Sequence, residues 1–296
     1  MSVNLSTALF YGRATSTMQS LTARTDALYN QIATGKKLLV PSDDAAGYQR
    51  LQRIARADAD GVQDSSNAKL AQSVLQQAGT AMTQITDQLQ RASELAIQGK
   101  TGTNSASAKQ AIASELEGIL ASIVSLANSK DVRGAPLFGG AGDGAAVTLG
   151  ADGKLSFAPG KAAPMPIGDG QSVEASVNAA TFLDGAKGDL GSALSAIVTA
   201  LRAGEDIPAG ATETLETISD QSTAMQASIG ARSVRVDIQV AQLKTSADDR
   251  EIDRSGIEGV DPTEAITELQ KTMTILQATQ ASFSKLSSLS LFDYLR

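Results

Sequence analysis

The sequence predicts a mainly α protein: a long antiparallel helical rod, a coiled-coil bundle formed by the N- and C-terminal segments, with a small β-rich central insertion. Three observations predict it. Apolar residues recur at alternating steps of three and four towards both ends of the 296-residue chain, which is the spacing of a coiled-coil seam. Glycine and proline crowd into the middle, from Asp131 to Gly188. Aromatic residues make up only 3% and Trp is absent, so the core is left to Leu, Ile, Val, Ala and Met, side chains that suit helices packed at close range.

Residues 1–35 hold one acid, Asp26, and ten Ser or Thr. Ala14, Met18, Leu21, Thr25, Leu28 and Ile32 nevertheless form a three-four seam, with weak members at Ala14 and Thr25. Such a helix needs a partner. Gly35 suits the left-handed residue past a helix end, and Lys36 and Lys37 follow it where the dipole favours cations. Leu38 to Pro41 reads as an extended connector. Ser42 is the expected N-cap of the next helix, with Asp43 and Asp44 in its first turn.

That helix is expected over 43–99, a length of about 85 Å. Its seam is Leu75, Ala78, Met82, Ile85, Leu89, Ala92 and Ala96. A second run, Ile112, Leu116, Ile119, Ile123 and Leu126, predicts a helix over about 105–129. In the Gly/Pro-rich middle, Ala151 to Lys154 is a turn signal between the short apolar runs 145–147 and 155–157. Helical spacing resumes at Leu190, Leu194, Ile197 and Leu201. A long helix follows with the seam Leu215, Ile218, Ser222, Met225, Ile229, Arg232, Val236, Gln239 and Leu243. In the last helix Asp261 is the N-cap, Pro262 the first helical residue and Glu264 part of a capping-box-like start. Its seam is Ile266, Leu269, Met273, Leu276, Gln280 and Phe283, and the chain ends with Leu291, Phe292 and Leu295 close together. The organisation expected is therefore 1–42 with 252–296 as a terminal coiled coil, 43–135 with 189–251 as a helical rod domain, and 136–188 as an outer insertion.

The chemistry available is narrow. The chain has neither Cys nor His, which removes the commonest nucleophile–base pairs and metal ligands. Gly139 to Gly144 lacks the strand–loop–helix setting and the Lys of a phosphate loop. Asp58 and Asp60 lack the remaining ligands of a calcium loop and read as a solvated helix face. Asp43 and Asp44 point about 100° apart on a helix and share no substrate easily. Neither an enzyme, a cofactor nor a metal is expected. The net charge of -7 argues against a nucleic-acid partner. No stretch approaches the ~20 apolar residues of a membrane helix, and no signal peptide is expected.

Ile32 to Asp44, IATGKKLLVPSDD, resembles the flagellin superfamily, in which a first helix, a Ser/Thr-Gly-Lys/Arg turn and an Asp-Asp step lead into a long helix. Pro41 to Asp44 and the ending Leu291 to Leu295 are similar to members at the hook–filament junction; Ala45-Ala46-Gly47 is similar to filament members. Leu126 to Asn128 and Leu137 to Gly140 also resemble the junction members. Leu89 to Gln98 resembles the stretch that flagellins use for axial contacts, so Leu89, Arg91, Glu94 and Leu95 are expected at an inter-subunit contact. The resemblance covers about 1–140 and 190–296.

It implies a structural subunit of the bacterial flagellum, extracellular, exported unfolded by the flagellar type III route without a cleaved signal peptide, and located at the junction. The partners implied are further copies in a ring or helical lattice, an adjoining hook-associated protein, flagellin and a cytoplasmic export chaperone. The terminal seams, Met18, Leu21, Leu28, Ile32, Ile266, Leu269, Met273, Leu276, Phe283, Leu291, Phe292 and Leu295, are then assembly surfaces, buried fully only between subunits. An ordinary intramolecular core is the competing reading of the same spacing. A filament flagellin and a non-flagellar coiled-coil surface protein are the alternatives to a junction subunit.

Overall fold

The computed structural model describes residues 2–101 and 104–293, with side chains over 9–101 and 104–285. Leu291 and Phe292, expected at the assembly surface, lie beyond the described side chains, and Leu295 beyond the described residues.

The described residues are mainly α-helical. The order is α1 (Ser2–Thr34), α2 (Ala45–Gly99) and α3 (Ala106–Ala127), then β1 (Val147–Leu149), β2 (Leu155–Phe157), β3 (Met165–Gly168) and β4 (Gln171–Val173). After them come α4 (Ala180–Leu183), β5 (Asp184–Gly185), β6 (Gly188–Asp189), α5 (Leu190–Ala203), α6 (Ala209–Glu258) and α7 (Pro262–Asp293). The chain forms two compact units, Met1–Ala59 with Ala247–Arg296, and Asp60–Ser246. Helices α2 and α6 each contribute to both.

In the unit Asp60–Ser246, α2 and α6 run antiparallel. Gln72 donates to Asp237 at 2.7 Å, and Gln226 donates to Thr83 at 2.9 Å. The seam expected on α2 is buried throughout, from Leu75 to Ala96. On α6, Leu215, Ile218, Ser222, Ile229, Val236, Gln239 and Leu243 are buried, with Met225 and Arg232 half-buried. Polar Ser222 is accommodated because its hydroxyl donates to the Phe182 carbonyl. Helix α3 starts at a Ser105 cap that accepts from the Ala108 amide at 3.2 Å, and packs on α5.

By length and composition α3 is apolar enough to cross a membrane, which corrects the expectation that no stretch approaches that limit. Here Ile112, Leu116, Ile119, Leu120 and Ile123 of α3 are buried in the protein core.

The middle of the chain is three small antiparallel hairpins, β1–β2, β3–β4 and β5–β6. The turn expected at 151–154 joins the first, with Gly153 at φ 78°. The second turns through Asp169 and Gly170, both at positive φ, a conformation that Asp tolerates and Gly favours. Helix α4 was not expected. Its Phe182 meets Phe138 edge-to-face at 5.3 Å, and both rings are fully buried.

Asp189 ties this region to the helices. It caps α5: one carboxylate oxygen accepts from the Ser192 amide at 3.1 Å and, across the chain, from the Leu155 amide at 2.8 Å. The other accepts from the Ser192 hydroxyl at 2.6 Å. Burial alone pushes this carboxyl up. The bonds from the Ser192 hydroxyl and from the Leu155 and Ser192 amides outweigh it and hold Asp189 below the usual carboxylate range. A depressed folded value means stability that is present above the ordinary carboxylate range and lost as pH falls through the folded one. Asp189→Ala, which strands the Leu155 amide, should cost about 3 kcal/mol in urea unfolding at neutral pH. Asp189→Asn should cost less, and its difference from the parent chain should shrink between roughly pH 5 and pH 3. A difference constant across that range would mean that the Asp189 charge contributes nothing.

Candidate assembly interface

In the unit formed by 1–59 and 247–296, α1 lies along α7. The α1 seam is the one the spacing picks out: Tyr11, Ala14, Met18, Leu21, Thr25 and Ile32 are half-buried and Leu28 is buried, between exposed neighbours. Threonine fits such a helix because its hydroxyl donates to the carbonyl four residues back, as Thr25 does to Leu21 at 2.9 Å.

On α7 the expectation needs correcting. Ile266 is 44% exposed and Gln280 is exposed. The side turned to α1 runs through Ala265, Leu269, Thr272, Leu276, Thr279 and Phe283, with Met273 also half-buried. Small Ala265 and Thr272 let the two backbones approach, whereas Ile266 would hold them apart. Near the far end Tyr11 meets Phe283 edge-to-face at 5.4 Å, and Arg24 reaches Glu268 at 3.8 Å.

The near end is clipped by backbone. Helix α1 stops at Thr34 and Gly35 turns left-handed at φ 69°, as expected. The Lys37 amide donates to the Glu258 carbonyl at 2.7 Å, and the Val260 amide donates to the Gly35 carbonyl at 3.1 Å. The turn after α1 and the turn before α7 thus form one antiparallel bridge, Lys36 opposite Gly259. Asp261 then caps α7, accepting from the Thr263 and Glu264 amides.

The start of α2 differs from the expectation. Pro41, Ser42 and Asp43 form a turn before the helix, and the cap is Asp44, which accepts from the Ala46 and Gly47 amides at 3.0 Å each. Asp43 faces backwards and accepts from the Leu39 and Val40 amides. The capping power of Ser42 loses to that of two carboxylates further along, each satisfying two amides. Gly47 is required here, since a Cβ would sit 2.6 Å from the Asp44 carboxylate.

A charge network that sequence reasoning missed braces the same end. Asp58, expected on a solvated face, accepts from Arg250 at 2.7 Å and lies 3.3 Å from Arg254. Arg254 also meets Glu251, and stands 4.0 Å from Glu258, which pairs with Lys36 at 2.9 Å. The recurrence of Arg250, Arg254 and Glu258 at steps of four marks one helix face, but the cross-helix partner, Asp58, is nearly two hundred residues away.

The second contact expected, on α2 in the other unit, divides between core and surface. Leu89 and Leu95 are fully buried in the core and are unavailable to a neighbour; their spacing is core spacing. Arg91 and Glu94 are exposed and paired at 3.4 Å, with Arg91 also bonded to Glu115 of α3 at 2.8 Å. Among the described residues no group of three or more acids gathers as a metal site.

Removing Asp58 takes the carboxylate from Arg250 and leaves Arg254 with Glu251 and Glu258. Asp58→Ala should cost about 1 kcal/mol. Hydrogen exchange should show faster opening in 247–258, and the difference should shrink at about 1 M salt, where the screening length is roughly 3 Å. Unchanged exchange there would reduce the network to decoration of the surface.

The chain matches the sequence profile of the bacterial flagellin N-terminal helical region over residues 5–143, and that of the flagellin C-terminal helical region over 212–295. Flagellar hook-associated protein 3 of Salmonella typhimurium is 28% identical over 138 residues, 47% of this chain and 44% of that protein. Polar flagellin C of Vibrio parahaemolyticus is 31% identical over 152 residues, 51% and 39% respectively. The chain thus spans less than half the length of these curated relatives. In fold it is similar to a flagellar hook-associated protein of Vibrio parahaemolyticus, at TM-score 0.67 and 17% identity over 73% of this chain and all of that one. It is also similar to flagellar hook-associated protein 3 of Legionella pneumophila, at TM-score 0.62 and 11% identity over 70% and 98%. With a terminal helix pair clipped at its inner turns and both family regions in place, the chain belongs to the bacterial flagellin family.

Proposed function

We propose that this chain is a structural subunit of the bacterial flagellum, an axial junction protein that links hook and filament by helical packing. The observation that carries the reading is the unfinished seam of α1 and α7. Met18, Leu21, Ile32, Met273, Leu276 and Phe283 are only half-buried, while the seams of α2 and α6 in the other unit are mostly sealed. Two helices alone cannot surround an apolar stripe; sister molecules can. Completing the burial contributes about 1 kcal/mol per large side chain, enough over many residues to order both ends in an assembly.

In this reading the subunit carries no catalysis. It leaves the cell unfolded by the type III route, and a cysteine-free chain forms no wrong disulfides on the way. Copies associate in a ring or helical lattice, with a hook-associated protein on one side and flagellin on the other; a cytoplasmic chaperone covers the terminal seams before export. Leu291, Phe292 and Leu295 extend the assembly surface. Similarity to proteins called hook-associated protein 3 supports the junction position.

A filament subunit is the second reading, favoured by the similarity to Vibrio flagellins. Deleting the gene separates the two. Loss of a junction subunit should leave bare hooks and release intact flagellin into the medium. Loss of the filament subunit should leave no flagellin to release, and normal filaments in the deletion strain would sink both.

A further inference from the structure

Within the unit 1–59 and 247–296, two charged faces have no ion-pair partner among the described residues; on the first, Arg56 donates to the Gln52 carbonyl of its own helix at 3.3 Å. On α2, Arg50, Arg53 and Arg56 follow at steps of three, all exposed. Among the described residues none of them pairs with a carboxylate, whereas Arg24, Arg250 and Arg254 in the same unit each do. Like charges at this spacing repel, so the stripe is a standing cost in the free chain. On α6, Asp248, Asp249 and Asp253 surround Ile252, which is 69% exposed. These three acids are exposed and likewise have no ion pair among the described residues. Asp253 stands across a shallow cleft from Arg50 and Arg53, over Ile54 and Ile257, without pairing with either.

We infer that the arginine stripe of one copy docks on the Asp248–Asp249–Ile252–Asp253 face of a second copy. The inference rests on the self-association proposed above and names the surfaces that make it. The partner is a sister chain because the complementary chemistry is on this chain: three guanidinium groups against three carboxylates around one apolar side chain. Guanidinium groups bind carboxylates in planar, bidentate fashion and are weakly hydrated, which suits an interface. The two faces differ, so the contact is heterologous, and repetition generates a ring or a helix. Arg53 lines one cleft with Asp253 and Ile257, and Asp249 lies four to eight residues further along α6. Docking therefore staggers neighbouring parallel copies by roughly 6–12 Å along the helices.

The absence of cysteine permits a clean test on the full chain, in cells lacking the native gene. With Arg53→Cys and Asp249→Cys together, oxidation of isolated flagella should give a disulfide ladder of this chain. A ladder missing although the variant is incorporated, or a bond to a different protein, overturns the inference. Independently, Arg53→Glu and Asp249→Arg should each reduce incorporation into isolated flagella at least tenfold, and the double variant should recover most of it. No recovery, with the double variant exported and soluble, also overturns it. Immunogold labelling of the unaltered chain keeps the two ideas apart: no label on flagella fails the proposed function, while label without a ladder fails only the docking surface.

Discussion

Each long helix here has an apolar stripe that only a distant part of the chain can cover, and the rest of the structure depends on that. An isolated helix is marginal in water, and α2 has its counterpart in α6, more than a hundred residues later. The same holds for α1 and α7. Pairing the start of the chain with its end leaves the middle free as the hairpin-rich region, which is joined to the helices by the buried Asp189 carboxylate, the Ser222 hydroxyl and the Asn128 side chain.

The two units show the same spacing carried to different degrees of completion. From Leu75 to Ala96 every expected seam residue of α2 is sealed, because α3, α5, α6 and the hairpins surround it. Along α1 the same three-four rhythm ends half-covered, with Ala14 and Thr25 among its members, while small Ala265 and Thr272 are the buried residues of the α7 side. Small and hydroxylated side chains pack closely yet bury little apolar area, so the turn–turn bonds and the Lys36–Glu258 ion pair at the inner end add to the hydrophobic contact of this pair.

Helix spans, seams and the β-rich middle were legible because periodicity reports which face of an element is covered. What was not legible depended on competition or on distance. Ser42 is a good cap in isolation, but Asp44 wins because its carboxylate reaches two amides of the first turn. Ile266 is the more hydrophobic residue, yet Ala265 takes the seam because helix approach rewards small size. Leu89 and Leu95 carry a resemblance to contact residues but also carry core spacing, and the core claims them. The pairing of Asp58 with Arg250 and Arg254 joins residues that no local rule connects.

The backbone bridge between Lys36 and Gly259 also fixes a matter of length. It acts as a common origin from which two arms run side by side, and those arms are nearly equal, 33 residues in α1 and 32 in α7. A residue added to one arm alone would leave it overhanging the other by about 1.5 Å. Insertions or losses near one terminus would then call for a matching change near the other, although nearly the whole chain separates the two.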